Sequence, residues 1–133
     1  MIASVSKKGM GWFGLAATVA ALVLAVPLAA SAADPVQARK DIKAMGLEYN
    51  GQEFAKVAGN GDMTAVKLYL DAGMDVNEGG GAAIGLAAGR GKLEMVKFLL
   101  SVGAKPTSNA LQYARTRGYK DVEKALVEAG AKE

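Results

Sequence analysis

From Gln52 onward, apolar positions recur with helical period and are cut at intervals by glycine. Three segments lie over one another, each bounded by glycines twelve residues apart: Gly61/Gly73, Gly91/Gly103 and Gly118/Gly130. Four residues after the first glycine stand Ala65, Met95 and Val122; seven to nine after it stand Leu68-Tyr69-Leu70, Phe98-Leu99-Leu100 and Ala125-Leu126-Val127. Those offsets fall on one face of an α-helix. Lys67, Lys97 and Lys124 share an offset away from that face and read as solvated. A helix of about three turns fits between the bounding glycines, and glycine tolerates the left-handed conformation that ends it. A second apolar patch precedes each first glycine, with Phe54, Ile84 and Leu111 seven residues ahead and Val57, Ala87 and Ala114 four ahead. It predicts a second, shorter helix per unit. Hairpins of this size bury their apolar faces only by stacking on one another.

The pattern changes at both ends. In the third unit Lys120 stands where the others have Met63 and Leu93, and Glu123 where they have Val66 and Val96. A terminal repeat has no following neighbour and needs such a polar outer face. Ahead of the repeats, Pro35 to Gly46 is predicted as a short helix, with Asp34 as N-cap and Pro35 in the first turn. Val36, Ile42 and Met45 are its expected contacts, shielding the open face of the first repeat. Residues 34–51 thus read as a capping helix and linker, and 52–133 as repeats. Residues 1–33 differ: Lys7 and Lys8 precede an uncharged run from Gly9 to Ala33 that ends in Pro27-Leu28-Ala29-Ala30-Ser31-Ala32-Ala33-Asp34. The alanine-rich composition, Pro27 and the small-residue end fit a secretory signal peptide cleaved after Ala32 or Ala33. The rival reading is an uncleaved membrane anchor, because the run is long enough to span a bilayer.

Two stretches carry more than periodicity. Gly61-Asp62-Met63-Thr64-Ala65-Val66-Lys67-Leu68-Tyr69-Leu70-Asp71-Ala72-Gly73-Met74-Asp75-Val76-Asn77 and Ala87-Ala88-Gly89-Arg90-Gly91-Lys92-Leu93-Glu94-Met95-Val96-Lys97-Phe98-Leu99-Leu100 hold a paired small residue, a glycine, a V-V-x-x-L-L-like core and a closing turn. In this they resemble the ankyrin repeat, over roughly Gln52 to Ala131. The family's T-P-L-H opening is reduced to Gln52-Glu53-Phe54-Ala55, Ala82-Ala83-Ile84-Gly85 and Asn109-Ala110-Leu111-Gln112, and the chain has no histidine. The first glycines recur after 30 and then 27 residues, against about 33 in the family. The projecting turns are therefore trimmed. Met74 to Gly81 keeps Asp75, Asn77 and three consecutive glycines, whereas Ala104 to Ser108 is shorter and holds Pro106, so the first turn is the better docking candidate. The resemblance implies an all-α, ankyrin-like solenoid of three helical-hairpin repeats with a concave inner-helix surface. Carried over position by position, the groove-facing candidates are Lys56 and Asn60, Leu86 and Arg90, and Tyr113 and Arg117. Their mixed basic and apolar-aromatic character suits a protein surface with acidic features.

Charge and residue types narrow the function. The chain has 16 basic and 13 acidic residues, but residues 1–33 hold two lysines and no acid, leaving 14 against 13 and a net charge of +1. The apparent basicity offers no electrostatic footprint for nucleic acid. About 100 remaining residues allow one domain with a modest core. Without cysteine, stability rests on stacking alone, and lipid attachment at a processed N-terminal cysteine is excluded. With neither Cys nor His, the chain also lacks the usual zinc ligands, a thiol nucleophile and the commonest general base.

The glycine-rich stretch Gly79 to Lys92 fails as a phosphate loop. The required first glycine falls on Leu86, and Leu93 follows Lys92 where Ser or Thr is needed. Asp71, Asp75 and Glu78 do not follow the twelve-residue calcium loop and read as a solvated turn. Trp12 lies in the export segment, and Tyr113 and Tyr119 are amphipathic, suited to surface anchoring or to half-buried packing. The expectation is a monomeric, non-enzymatic protein-protein interaction module of the bacterial periplasm, with no cofactor, no metal and no nucleic acid. It touches membrane only through residues 1–33 if they are uncleaved. The alternative is a structural or assembly subunit tethered to the inner membrane and facing the periplasm.

Overall fold

The computed structural model of the chain describes residues 34–133, so residues 1–33, expected to be a signal peptide or membrane anchor and holding Trp12, lie outside the described residues. Those residues form α1 (Pro35–Ala44), α2 (Gly51–Asn60), α3 (Met63–Asp71), α4 (Glu78–Gly89), α5 (Leu93–Ser101), α6 (Ser108–Arg117) and α7 (Lys120–Glu128), with no strand among them. Each hairpin closes on itself, α2 on α3, α4 on α5 and α6 on α7. The first helices also pack on one another, α2 against α4 and α4 against α6, while α5 meets α7 and α1 lies against α3. The result is an all-α helical-repeat solenoid, with α2, α4 and α6 as an inner layer and α3, α5 and α7 as an outer one.

Side-chain caps start three of the helices. The side chains of Asn50, Asp62 and Thr107 accept hydrogen bonds from the amides of Glu53, Ala65 and Ala110, satisfying donors that the first helical turn leaves unpaired. Helix α4 begins differently. Gly79, Gly80 and Gly81 have φ of 70°, 71° and 90°, a left-handed turn before right-handed helix resumes at Ala82. The amide of Gly81 closes that turn on the Asn77 carbonyl at 3.1 Å. Successive left-handed residues cost any side chain about 1–2 kcal/mol each, which glycine escapes. Asn77 then ties the first projecting turn to the second, donating from Nδ2 to the Gly103 carbonyl (3.1 Å) and accepting at Oδ1 from the Lys105 amide (2.8 Å).

The two helices of each hairpin are of similar length: α2 and α6 have 10 residues each and the outer helices 9, while the right-handed part of α4, residues 82–89, has 8, so only the second repeat keeps the expected shorter first helix. Small residues fill much of the buried face of the inner helices. Ala55, Ala58 and Gly59 in α2, and Ala83, Ala87, Ala88 and Gly89 in α4, are buried and extend a helical face that large apolar residues alone under-report. Phe54, Val66, Tyr69, Ile84, Leu99 and Leu126 fill the core between the layers, each at most 1% exposed.

Helix α1 caps the outer layer, with Ile42 alone of the three expected contacts taking part. Ala38 and Ile42, four apart on one face, are buried, whereas Val36 is 64% and Met45 45% exposed. The chain beyond α1 adds an aromatic lock: the Arg39 guanidinium lies 4.3 Å over the Tyr49 ring, which stacks on Tyr69 at 5.8 Å. The Tyr69 hydroxyl donates to the Glu48 carbonyl. At the other end Glu123, at the offset where Val66 and Val96 are buried, is held by Arg115 (Nε to Oε2, 2.6 Å), which also reaches Glu133 at 2.6 Å. The hydrogen bond from Arg115 holds the Glu123 carboxyl below its ordinary range, and the same bond raises the Arg115 guanidinium.

Candidate interaction surface

The inner helices carry five of the six sequence candidates. Lys56 and Asn60 lie on α2, Leu86 on α4, Arg90 directly after it, and Tyr113 and Arg117 on α6. Five of the six are joined across repeats. Arg90 Nη1 donates to Asn60 Oδ1 at 2.7 Å, bridging the first and second repeats. Arg117 Nη1 donates to the Gly89 carbonyl at 2.8 Å, bridging the second and third and satisfying an acceptor that the end of α4 leaves unpaired. Lys56 instead pairs within its own helix, 3.3 Å from the Glu53 carboxylate.

Two glycines set the spacing. A Cβ on Gly59 would stand 3.1 Å from Cβ and Cδ2 of Leu86, and one on Gly89 would stand 3.5 Å from Cβ of Tyr113. Each next repeat therefore lays its side chain on the glycine of the one before, bringing the inner helices close. Thr116 holds the equivalent position in the third repeat and is exposed. Leu86 is left half-buried and Tyr113 48% exposed. No hydrogen bond occupies the Tyr113 hydroxyl among the described residues. The sequence candidates omit Gly59, although the contrast of Gly59 and Gly89 with Thr116 is a signal available in the sequence once the repeats are superposed.

The surface is open rather than enclosed. A cleft of about 340 Å³ lies at the end of the array against Leu111, Gln112 and Arg115, and one of about 350 Å³ follows the hairpin turns. Of the six candidates only Asn60 lines either. Among the described residues no cluster of carboxylates could hold a metal ion, and Asp75 is engaged in its own turn, accepting from the Asn77 amide at 2.8 Å.

Stacked hairpins with glycine turns and an exposed inner-helix stripe define a repeat scaffold. A family model of ankyrin repeats in three copies matches residues 54–133, and the chain belongs to the ankyrin-repeat family. Repeats of this family are protein-protein interaction modules. No curated protein matches the chain.

Proposed function

We propose that this protein is a non-enzymatic, exported interaction module of a bacterial envelope that binds one partner protein through its inner-helix and projecting-turn surface. The observation that carries this reading is the continuous stripe Asn60, Arg90, Leu86, Tyr113 and Arg117. Its side chains are held in place by contacts between repeats while their outer atoms stay accessible. Pre-positioned arginine and aromatic side chains lose little freedom on binding, and residues of these types dominate interface energetics. Export rests on the sequence of residues 1–33.

Affinity capture from a periplasmic extract tests the surface. Replacing Arg90, Tyr113 and Arg117 together by alanine should abolish recovery of the partner, with the far-UV circular dichroism of the helices retained. Unchanged recovery by that variant removes the assignment. The second reading, a membrane-tethered assembly subunit, is favoured by one observation: the run from Gly9 to Ala33 has 25 residues without a charge, enough to cross a hydrocarbon core. Sequencing the mature N-terminus separates the two, because Ala33 or Asp34 supports export and Met1 supports the tether.

A further inference from the structure

We infer that the inner-helix stripe takes an extended acidic polypeptide segment bearing an aromatic side chain, its carboxylates pairing with Arg90 and Arg117 across Tyr113. The inference rests on the surface assignment above and names the chemistry of the partner. The other cations of the inner helices are already matched. Lys56 is paired with Glu53, and Arg115 with Glu123 and Glu133. Arg90 and Arg117 have no carboxylate within 4.0 Å among the described residues; each spends one donor on a neutral oxygen, Asn60 Oδ1 or the Gly89 carbonyl.

A guanidinium has five N–H donors in a planar fork, so each arginine keeps a bidentate edge for a carboxylate. The nearby helix C-termini offset only part of this charge, at roughly half an elementary charge each. Tyr113, packed on the Gly89 whose carbonyl Arg117 holds and 48% exposed, offers aromatic surface and an unused hydroxyl. That combination fits aromatic stacking beside carboxylate recognition. Residues 1–33 hold two lysines and no acid, so the chain's own N-terminal segment does not supply the ligand.

Fluorescence anisotropy with the purified full chain tests this directly. The probe is a labelled peptide alternating aspartate and glutamate with phenylalanine; its control replaces every carboxylate by the corresponding amide. The acidic probe should bind, the amide control should not, and affinity should fall steeply as salt is raised. Arg90→Gln and Arg117→Gln should each weaken binding about tenfold, whereas Lys67→Gln and Lys97→Gln on the outer helices should leave it unchanged. The comparison of acidic and amide probes on the unaltered chain needs no variant to fold. Equal binding of the two probes, or no binding of either, overturns the inference. Anionic phospholipid vesicles held through the same arginines while the peptide is not, or self-association abolished by Arg90→Gln, overturn it in favour of a membrane or a second copy. Loss of the peptide result with retained dependence of partner capture on Arg90, Tyr113 and Arg117 would discard the acidic ligand and keep the surface.

Discussion

Gly61, Gly91 and Gly118 share one backbone conformation, with φ of 78°, 70° and 79°, but face different neighbours. A Cβ on Gly91 would meet the Tyr119 ring at 2.8 Å; on Gly61 it would meet the flexible Lys92 Cδ at 3.3 Å; on Gly118 it would meet nothing within 4 Å. The left-handed penalty of about 1–2 kcal/mol is common to all three, and overpacking adds about 1–3 kcal/mol only where a rigid ring stands in the way. Urea denaturation should therefore rank Gly118→Ala as least destabilising, Gly61→Ala next and Gly91→Ala most. Tyr119→Ala should recover part of the Gly91→Ala loss. Equal losses at the three sites would show that stacking across the hairpin turns contributes nothing. Tyr69 provides a pH-dependent counterpart at the same scale. Burial, and then the charges of Glu53 and Glu48, raise its phenol above the ordinary value. A raised folded value means stability present below the unfolded value of about 10 and lost as pH rises through the folded one. Thermal melts should show an alkaline decline above about pH 10 that is shallower in Tyr69→Phe. That variant should also lose about 1 kcal/mol at neutral pH, with the hydrogen bond to the Glu48 carbonyl.

Among the elements, α1 depends on two side chains. Ile42→Ala should cost about 2–4 kcal/mol, or undock α1 and speed amide exchange across residues 35–44, whereas Val36→Ala should change stability by less than about 0.5 kcal/mol. Hydrogen exchange and denaturation distinguish these, and equal effects would mean that α1 does not pack as described. The helix itself is legible in the sequence from Asp34 and Pro35, and its buried face in part, through Ile42. Val36 and Met45 draw the eye by bulk, while Ala38, a small residue, joins Ile42 in the buried face. The repeat hairpins are legible because large residues such as Tyr69, Leu99 and Leu126 recur at a fixed offset from the glycines. The full buried face of the inner helices is hidden by small residues that bury as fully as large ones, and the left-handed turn at Gly79–Gly81 reads in one dimension only as a linker. The six candidate positions follow from the resemblance to the ankyrin pattern, carried over position by position. What register leaves out is the link from Arg90 to Asn60 and from Arg117 to Gly89, pairs 30 and 28 residues apart that meet only after stacking.

At the scale of the whole molecule, three hairpins are bounded by two unlike ends. The first is covered by α1 and an aromatic stack; the last turns Glu123 into an ion pair and carries Thr116 where the earlier repeats keep glycine. Between these ends the inner layer presents a stripe in which packing and exposure coexist. The outer layer shows a column of lysines, Lys67, Lys97 and Lys124, all exposed. A partner docking on the inner layer touches side chains held by hydrogen bonds and packing between repeats, while one docking on the outer layer meets exposed lysines whose long side chains cost more entropy to fix. Site-specific photo-crosslinking in intact cells tests the choice most directly, with a photoreactive amino acid placed at Lys56 or Thr116 on the inner layer, or at Lys97 or Lys124 on the outer. The account predicts a partner adduct from the inner positions and none from the outer ones. Adducts from Lys97 and Lys124 with none from Lys56 and Thr116 would contradict it.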